Sequence, residues 1–339
     1  MSLAISVVVP TFNRKDNLKR TLDGLARQEM DPSRFEVVVV SDGSTDGTDE
    51  WLSEVVDGYP FRLRPVRQAN SGPAVARNRG IEEAEGDVIV FVDDDIEPQP
   101  ELLSRHLAHH ESHPAVAVIG PQLPDPDRRR QEPPWVVWEH EQMVRQYRNF
   151  ADGTWPEAGP HHFYTGNASV RREHLAAIGG FNVTFGRQED VELAMRLVRD
   201  RGVEVRIDLE ARAIHRPNRT YASWARTPYA YGELDVKRAH AGNASWRLIW
   251  ESYNIRNRAT RLAVDMVLAV PRLGRMGCAC GGSVSHWLWK LRLGPDSLPL
   301  SLLSLVYNVR YAEGVRDAIG GRDAYLRCIR QPTPATGPG

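Results

Sequence analysis

Val88-Ile89-Val90-Phe91-Val92-Asp93-Asp94-Asp95 decides the fold. An unbroken apolar run, rich in β-branched residues, suits a strand buried on both faces in the middle of a parallel sheet. Ligands of such sheets bind just outside the carboxyl ends of the strands, and the three aspartates fall there. Adjacent carboxylates repel one another, so the run calls for a neutralising cation. Two readings fit it. One is an acidic turn capping the next helix. The other is a site for a hard divalent cation, Mg2+ or Mn2+, which in turn binds phosphates.

Outward from this run, segments 5–9, 36–40 and 61–66 read as further strands, and 16–27, 46–56 and 73–84 as amphipathic helices between them. Strict alternation predicts right-handed crossovers and a central, mainly parallel sheet of α/β class. A helix over 100–111 and a strand over 116–119 extend the pattern. Residues 121–160, rich in Pro, Arg and Trp, read as a long surface excursion. Regular structure returns over 164–170, followed by helices over 172–178 and 190–201, and strands over 203–208 and 211–215. Beyond 221 the chain reads as helical.

The 339 residues carry a formal net charge of -1, which excludes a nucleic-acid binder working by bulk electrostatics. Three cysteines in such a chain point to a reducing compartment rather than a disulfide scaffold. The apolar segment 5–9 is too short for a signal-peptide core, and no stretch reaches the roughly 20 apolar residues of a spanning helix. A cytoplasmic protein is expected. Residues 331–339, rich in Pro, Thr and Gly, are expected to form a disordered tail.

Four segments converge on one chemistry. They are Val9-Pro10-Thr11-Phe12-Asn13-Arg14, Val40-Ser41-Asp42-Gly43-Ser44-Thr45-Asp46, Asn70-Ser71-Gly72-Pro73-Ala74-Val75-Ala76-Arg77-Asn78-Arg79-Gly80, and the aspartate run. All sit at the strand-to-helix side of the predicted sheet, where they line one crevice. In this order they resemble the family 2 glycosyltransferases, which have the GT-A fold of the nucleotide-diphospho-sugar transferases. The resemblance covers about the first two-thirds of the chain. It implies a Rossmann-like sandwich over 1–220, with a nucleotide-binding half (1–120) and an acceptor-binding half (121–220), followed by a helical appendage over 221–330.

The resemblance also assigns roles. Asp42 would receive the N3–H of a uracil or thymine ring, with Thr11 and Arg14 flanking base and ribose. Arg77 would reach the base or the diphosphate. Asp93 would approach the ribose and the metal, and Asp95 would ligate the Mn2+ or Mg2+ that bridges both phosphates. Pro10, Asn13, Asn70 and Asp94 complete the nucleotide-sugar-binding set.

In the second half, Gly186-Arg187-Gln188-Glu189-Asp190-Val191-Glu192 puts paired acids at the start of a periodic helix. Acids are common there for dipole reasons alone. The resemblance makes Asp190 the catalytic base and Glu189 an acceptor-holding residue. It adds His215 as a metal ligand and places Thr165-Gly166-Asn167-Ala168-Ser169 beside donor sugar and acceptor, Gly166 permitting close backbone approach. Trp135, Trp138 and Trp155 offer faces on which sugars stack.

The implied activity is inverting, metal-dependent transfer from a UDP- or dTDP-sugar to an acceptor hydroxyl, in cell-surface glycan or glycoconjugate synthesis. A glycan or a lipid-linked saccharide would be the acceptor. Two other functions share the fold. A sugar-nucleotide pyrophosphorylase would carry a Gly-rich, Arg-containing first loop in place of Pro10-Thr11-Phe12-Asn13-Arg14. A non-catalytic nucleotide-sugar-binding protein would tolerate loss of the acids that are intact here.

His106, His109, His110 and His113 recur at helical spacing. With no carboxylate pattern to complete a metal site, and Pro114 ending the helix, a solvated helix end is expected. In the C-terminal third, Trp224, Trp246, Trp250, Trp287 and Trp289 sit among Arg and Lys. That mixture fits a surface approaching the inner face of the cell membrane, and equally a packed appendage or a homodimer contact.

Overall fold

In this computed structural model, residues 3–185, 187–240 and 246–330 are described; the tail at 331–339 lies outside them. The apolar runs become β1 (Ile5–Thr11), β2 (Phe35–Asp42), β3 (Arg62–Gln68) and β4 (Val88–Val92), parallel and ordered β3-β2-β1-β4. Crossovers run through α1 (Lys15–Ala26), α2 (Thr48–Val55) and α3 (Pro73–Glu83). Period-two alternation splits each strand between two faces. On β1, Ile5, Val7 and Val9 pack with Leu18, Leu22 and Leu25 of α1, whereas Val8 packs with Ala74 of α3 on the other side. Covered on both sides, β2 and β4 are buried along their whole length.

One charge sits in that interior. Glu36 of β2 has no exposed surface; it accepts from Ser6 Oγ at 2.6 Å and from the Glu85 N–H at 2.7 Å, with Arg64 Nη1 at 3.4 Å. An interior carboxylate is tolerable only when paired and hydrogen-bonded.

The chain continues through β5 (Ile96–Pro98), α4 (Leu102–Ser112), β6 (Val116–Ile119), β7 (Gln122–Pro124) and α5 (Pro134–Ala151). Next come β8 (Asn167–Arg171), α6 (Arg172–Ala177), α7 (Glu189–Arg201), β9 (Glu204–Ile207) and β10 (Ala213–His215). β8 enters antiparallel between β4 and β6, and the main sheet runs β3-β2-β1-β4-β8-β6-β9. A small sheet, β5-β10-β7, stands apart from it. The stretch 121–160 is therefore not a bare excursion: it holds β7 and α5, with Val136 and Val137 buried. Pro134 opens α5, where a missing N–H costs nothing.

Contacts divide the chain into one unit of residues 1–128 with 140–218 and another of 129–139 with 219–339. The second unit contains α8 (Tyr221–His240), α9 (Trp246–Asn254), α10 (Arg258–Ala269), α11 (Pro271–Lys290), α12 (Ser297–Ala318) and α13 (Arg322–Arg330). Its core gathers Trp138, Trp224, Trp246 and Trp289 around Leu303 and Val306 of α12. Trp138 meets Trp224 edge-on at 5.5 Å and donates to Ser304 Oγ at 2.6 Å.

Candidate active site

The loops after β1, β2 and β3 are tied together at the carboxyl edge of the sheet. Asp42 ends β2, and its Oδ1 accepts from Gln68 Nε2 at 2.7 Å and from the Ser71 N–H at 2.8 Å. Its Oδ2 accepts from the Gly72 N–H at 2.8 Å, which leaves that oxygen able to accept once more. Gly43, at φ 79°, turns the chain past this point, and a Cβ there would stand 2.8 Å from the Asn70 backbone nitrogen. Asn70 donates to the Asp42 carbonyl at 3.0 Å. Asn13, itself at φ 55°, accepts from the Thr45 N–H at 2.7 Å and so joins the first loop to the second. Pro10 is half-buried within β1.

The three aspartates diverge. Asp94 is buried and held by Thr11 Oγ1 at 2.7 Å and Arg14 Nη1 at 2.9 Å. Burial raises its pKa against the pull of Arg14, and Asp95 adds to the rise. Arg14 Nη1 also reaches Asp95 Oδ2 at 2.8 Å. Asp93 turns instead to Arg77, whose Nη2 lies 2.8 Å from its Oδ1. Two arginines, Arg14 and Arg77, thus offset part of the charge of the run.

Arg77 comes from the first turns of α3 and is 5 % exposed. Its Nη1 donates to Glu189 Oε1 at 2.9 Å, and its guanidinium lies 5.7 Å from the centre of the Phe181 ring. Burial works against its charge, but Asp93 and Glu189 outweigh burial and hold it more basic than usual. Arg77 thus bridges two carboxylates, Asp93 and Glu189. Beside it Asp190, in the first turn of α7, is half-buried and accepts from the Val191 N–H at 2.8 Å. Burial pushes this carboxyl up to about 6, Glu189 adding to the rise while Val191 and Arg77 oppose it. A carboxylate poised there is tuned for proton transfer near neutral pH.

Register in the small sheet sets His215 opposite Ile96, beside the aspartates. His215 Nε2 lies 3.8 Å from Asp95 Oδ1, and its Nδ1 lies 3.3 Å from Nε2 of His140. His140, from α5, is a residue that sequence reading missed, lying within the stretch taken for a loop. Burial lowers its pKa to about 3, so it is a neutral imidazole against His215. No group of three or more His, Cys, Asp or Glu is gathered for a metal among the described residues. One carboxylate and one imidazole at this separation nevertheless suit a hard or borderline cation that takes its remaining ligands from water and phosphate, as Mg2+ commonly does.

Gly166 is close-packed: a Cβ there would lie 2.8 Å from Gln122 Nε2. Asn167 is wholly buried; its amide donates to the Ala211 carbonyl at 2.7 Å and its oxygen stands 2.9 Å from His106 Nε2. That side chain is occupied in joining β8 to its surroundings. His106 and His110 correct the expectation of a solvated helix end. Both are fully buried, each with a ring nitrogen 2.8 Å from Ser169 Oγ, and burial lowers them to about 4 and about 3. His109 pairs with Asp208 at 3.0 Å, while His113 is exposed. The helix docks on β8 through polar contacts that apolar periodicity does not register.

The sequence model of Glycosyl transferase family 2 matches residues 6–179, about half of the chain. The chain belongs to glycosyl transferase family 2. Among relatives of this family 2 chain, the validoxylamine A glucosyltransferase of Streptomyces hygroscopicus subsp. limoneus is 34% identical over 239 residues, 63% of this chain and 52% of that protein. The uncharacterized glycosyltransferase YfnE of Bacillus subtilis is 34% identical over 115 residues, 34% of this chain and 29% of YfnE. The match thus spans about half, or less, of the length of these two relatives. Solved structures share the GT-A fold. S. aureus TarS 1-349 in complex with UDP gives a TM-score of 0.52 at 17% identity, covering 97% of this chain and 90% of that one. The mannosyltransferase PcManGT from Pyrobaculum calidifontis, in complex with GDP-Man and Mn2+, gives 0.55 at 19%, covering 97% and 86%.

Proposed function

We propose that this family 2 protein is an inverting glycosyltransferase, dependent on a divalent metal, that moves a sugar from a UDP- or dTDP-sugar to an acceptor hydroxyl. One observation carries the reading. Arg77 clamps Asp93 and Glu189 together, which brings the acids that open α7 to the end of the aspartate strand. Asp190, raised to about 6, takes the proton of the acceptor hydroxyl as its oxygen bonds to the anomeric carbon. The bond from that carbon to the diphosphate breaks in the same in-line step, which inverts the anomeric centre. Glu189 holds the acceptor, and Asp42 Oδ2, with capacity left, accepts the N3–H of the pyrimidine. Thr11, Arg14, Pro10, Asn13 and Asn70 line base and ribose.

Asp95, His215 and Asp93 would hold the Mn2+ or Mg2+. The ion would supply positive charge to the departing diphosphate. The names of the relatives cover transfer of glucose, glucuronate and N-acetylglucosamine, so they leave the donor sugar open. The acceptor is a glycan or a lipid-linked saccharide, and the free cysteines suit a reducing, cytoplasmic setting. A panel of UDP-, dTDP- and GDP-sugars with Mn2+, scored for binding and slow hydrolysis, tests the reading. Binding of uridine or thymidine donors is expected, with an inverted anomer in any product; silence across the panel refutes it.

A further inference from the structure

Within the second unit, α10 and α11 pack on each other and both pack on α12. α10 buries Val264 and Leu268 inward, yet its outward stripe is also apolar, with Leu262 60 % and Met266 57 % exposed. α11 repeats the pattern. Cys278 and Trp289 go inward, while Met276, Val284 and Trp287 stand 63 %, 48 % and 54 % exposed at helical spacing. Leu291 and Leu293 continue this face beyond the end of α11. Contiguous apolar exposure of this kind marks an interaction surface.

The charge around it selects the partner. Residues 246–298 contain eight Arg and Lys against three Asp and Glu. The three acids are engaged inside the unit: Glu251 by Arg247, Asp265 by Tyr253, and Asp296 by Arg129 and Arg130. Arg256, Arg258, Lys290 and Arg292 are exposed beside the apolar stripes, and Lys290 lies 5.3 Å from the Trp287 ring. No helix among the described residues is long and apolar enough to cross a membrane. Exposed Leu, Met and Trp with flanking basic residues, on helices unable to span, match the chemistry of an anionic bilayer surface, where apolar side chains enter the acyl boundary and basic ones meet the headgroups.

We propose that the outward face of α10 and α11, with Leu291 and Leu293, docks on an anionic lipid surface. The docking is independent of the proposed sugar transfer. The test is flotation of the full chain with vesicles of equal parts phosphatidylcholine and phosphatidylglycerol, and with phosphatidylcholine alone. Flotation with the anionic vesicles, weakened by salt, is expected. Leu262→Ser, Met266→Ser and Trp287→Ser together should abolish it. Arg256→Ser with Arg258→Ser should lower the partition about 25-fold, at roughly five-fold per basic residue. Circular dichroism and a melting curve of each variant report that the helical fold persists. Absence of flotation by the unaltered chain, or flotation that survives both sets of substitutions, overturns the proposal. So does a concentration-dependent dimer that the same substitutions dissociate without any lipid binding, since the face would then join two copies.

Discussion

Replacing Asp190 by Asn separates chemistry from stability in one residue. In the fold its carboxyl is raised from an ordinary value of 3.8 to about 6. Each unit is worth about 1.36 kcal/mol, so holding the charged form there costs about 2–3 kcal/mol. The sign follows from proton counts. Between roughly pH 4 and pH 6 the folded chain keeps a proton that the unfolded chain has lost, so this group's contribution to stability declines as pH rises through that window. Above pH 6 the full cost is present. Asparagine carries no such charge, and its oxygen can still accept from the Val191 N–H. At pH 7 the Asp190→Asn protein should therefore melt roughly 3–4 °C above the original, with the gap closing near pH 4. Transfer should fall about 10²- to 10⁴-fold, the usual contribution of a general base. The original enzyme should lose about nine-tenths of its rate at pH 5, an acid limb that the variant lacks. Melting curves and initial rates of nucleotide release across pH 4–8 supply the readouts. A variant that is less stable at pH 7, or that keeps the acid limb, would show that Asp190 is neither strained nor the base.

Asp95→Ala should abolish the Mn2+-dependent part of UDP affinity while leaving the metal-free part intact, measured calorimetrically with and without chelator; unchanged metal dependence would remove Asp95 from the ligand set. Glu36→Ala leaves the buried Ser6 hydroxyl and the Glu85 N–H without their acceptor, while Arg64 keeps Glu83 and Glu85, and should cost about 1–3 kcal/mol in denaturant unfolding; a loss below about 0.5 kcal/mol would mean that the interior carboxylate contributes little. Gly43→Ala forces a side chain into a left-handed turn against Asn70, and should cost about 1–2 kcal/mol. Because the turn carries Asp42, UDP affinity should fall with it; calorimetry on the folded fraction checks this.

The parallel core was legible because β1, β2 and β4 are apolar runs that end in loop residues with distinctive chemistry. Glu189 and Asp190 could be paired with the aspartate strand only through the resemblance, since nothing local says that α7 starts beside β4. What escaped had weaker signals. β5 and β7 are three-residue strands with no apolar periodicity of their own. α5 was hidden by the prolines and arginines before it, and His140 with it. The inward turn of His106 and His110 depends on Ser169 and Asn167, some sixty residues away, which no window along the chain contains. Arg77 was singled out from its own motif, but its partner Glu189 lies 112 residues away and no local pattern announces it.

That separation has a kinetic consequence. Thr11 meets Asp94 across 83 residues, Arg14 meets Asp95 across 81, and Arg77 meets Glu189 across 112. Long chain closures are entropically costly and come late on a folding route dominated by non-local pairing. Helical signal should recover early on refolding from denaturant, while the carboxylate cluster assembles only when the whole first unit has closed. On the proposed function, nucleotide binding would report the last step of folding, and any partly folded form that still shows full helicity should be blind to nucleotide.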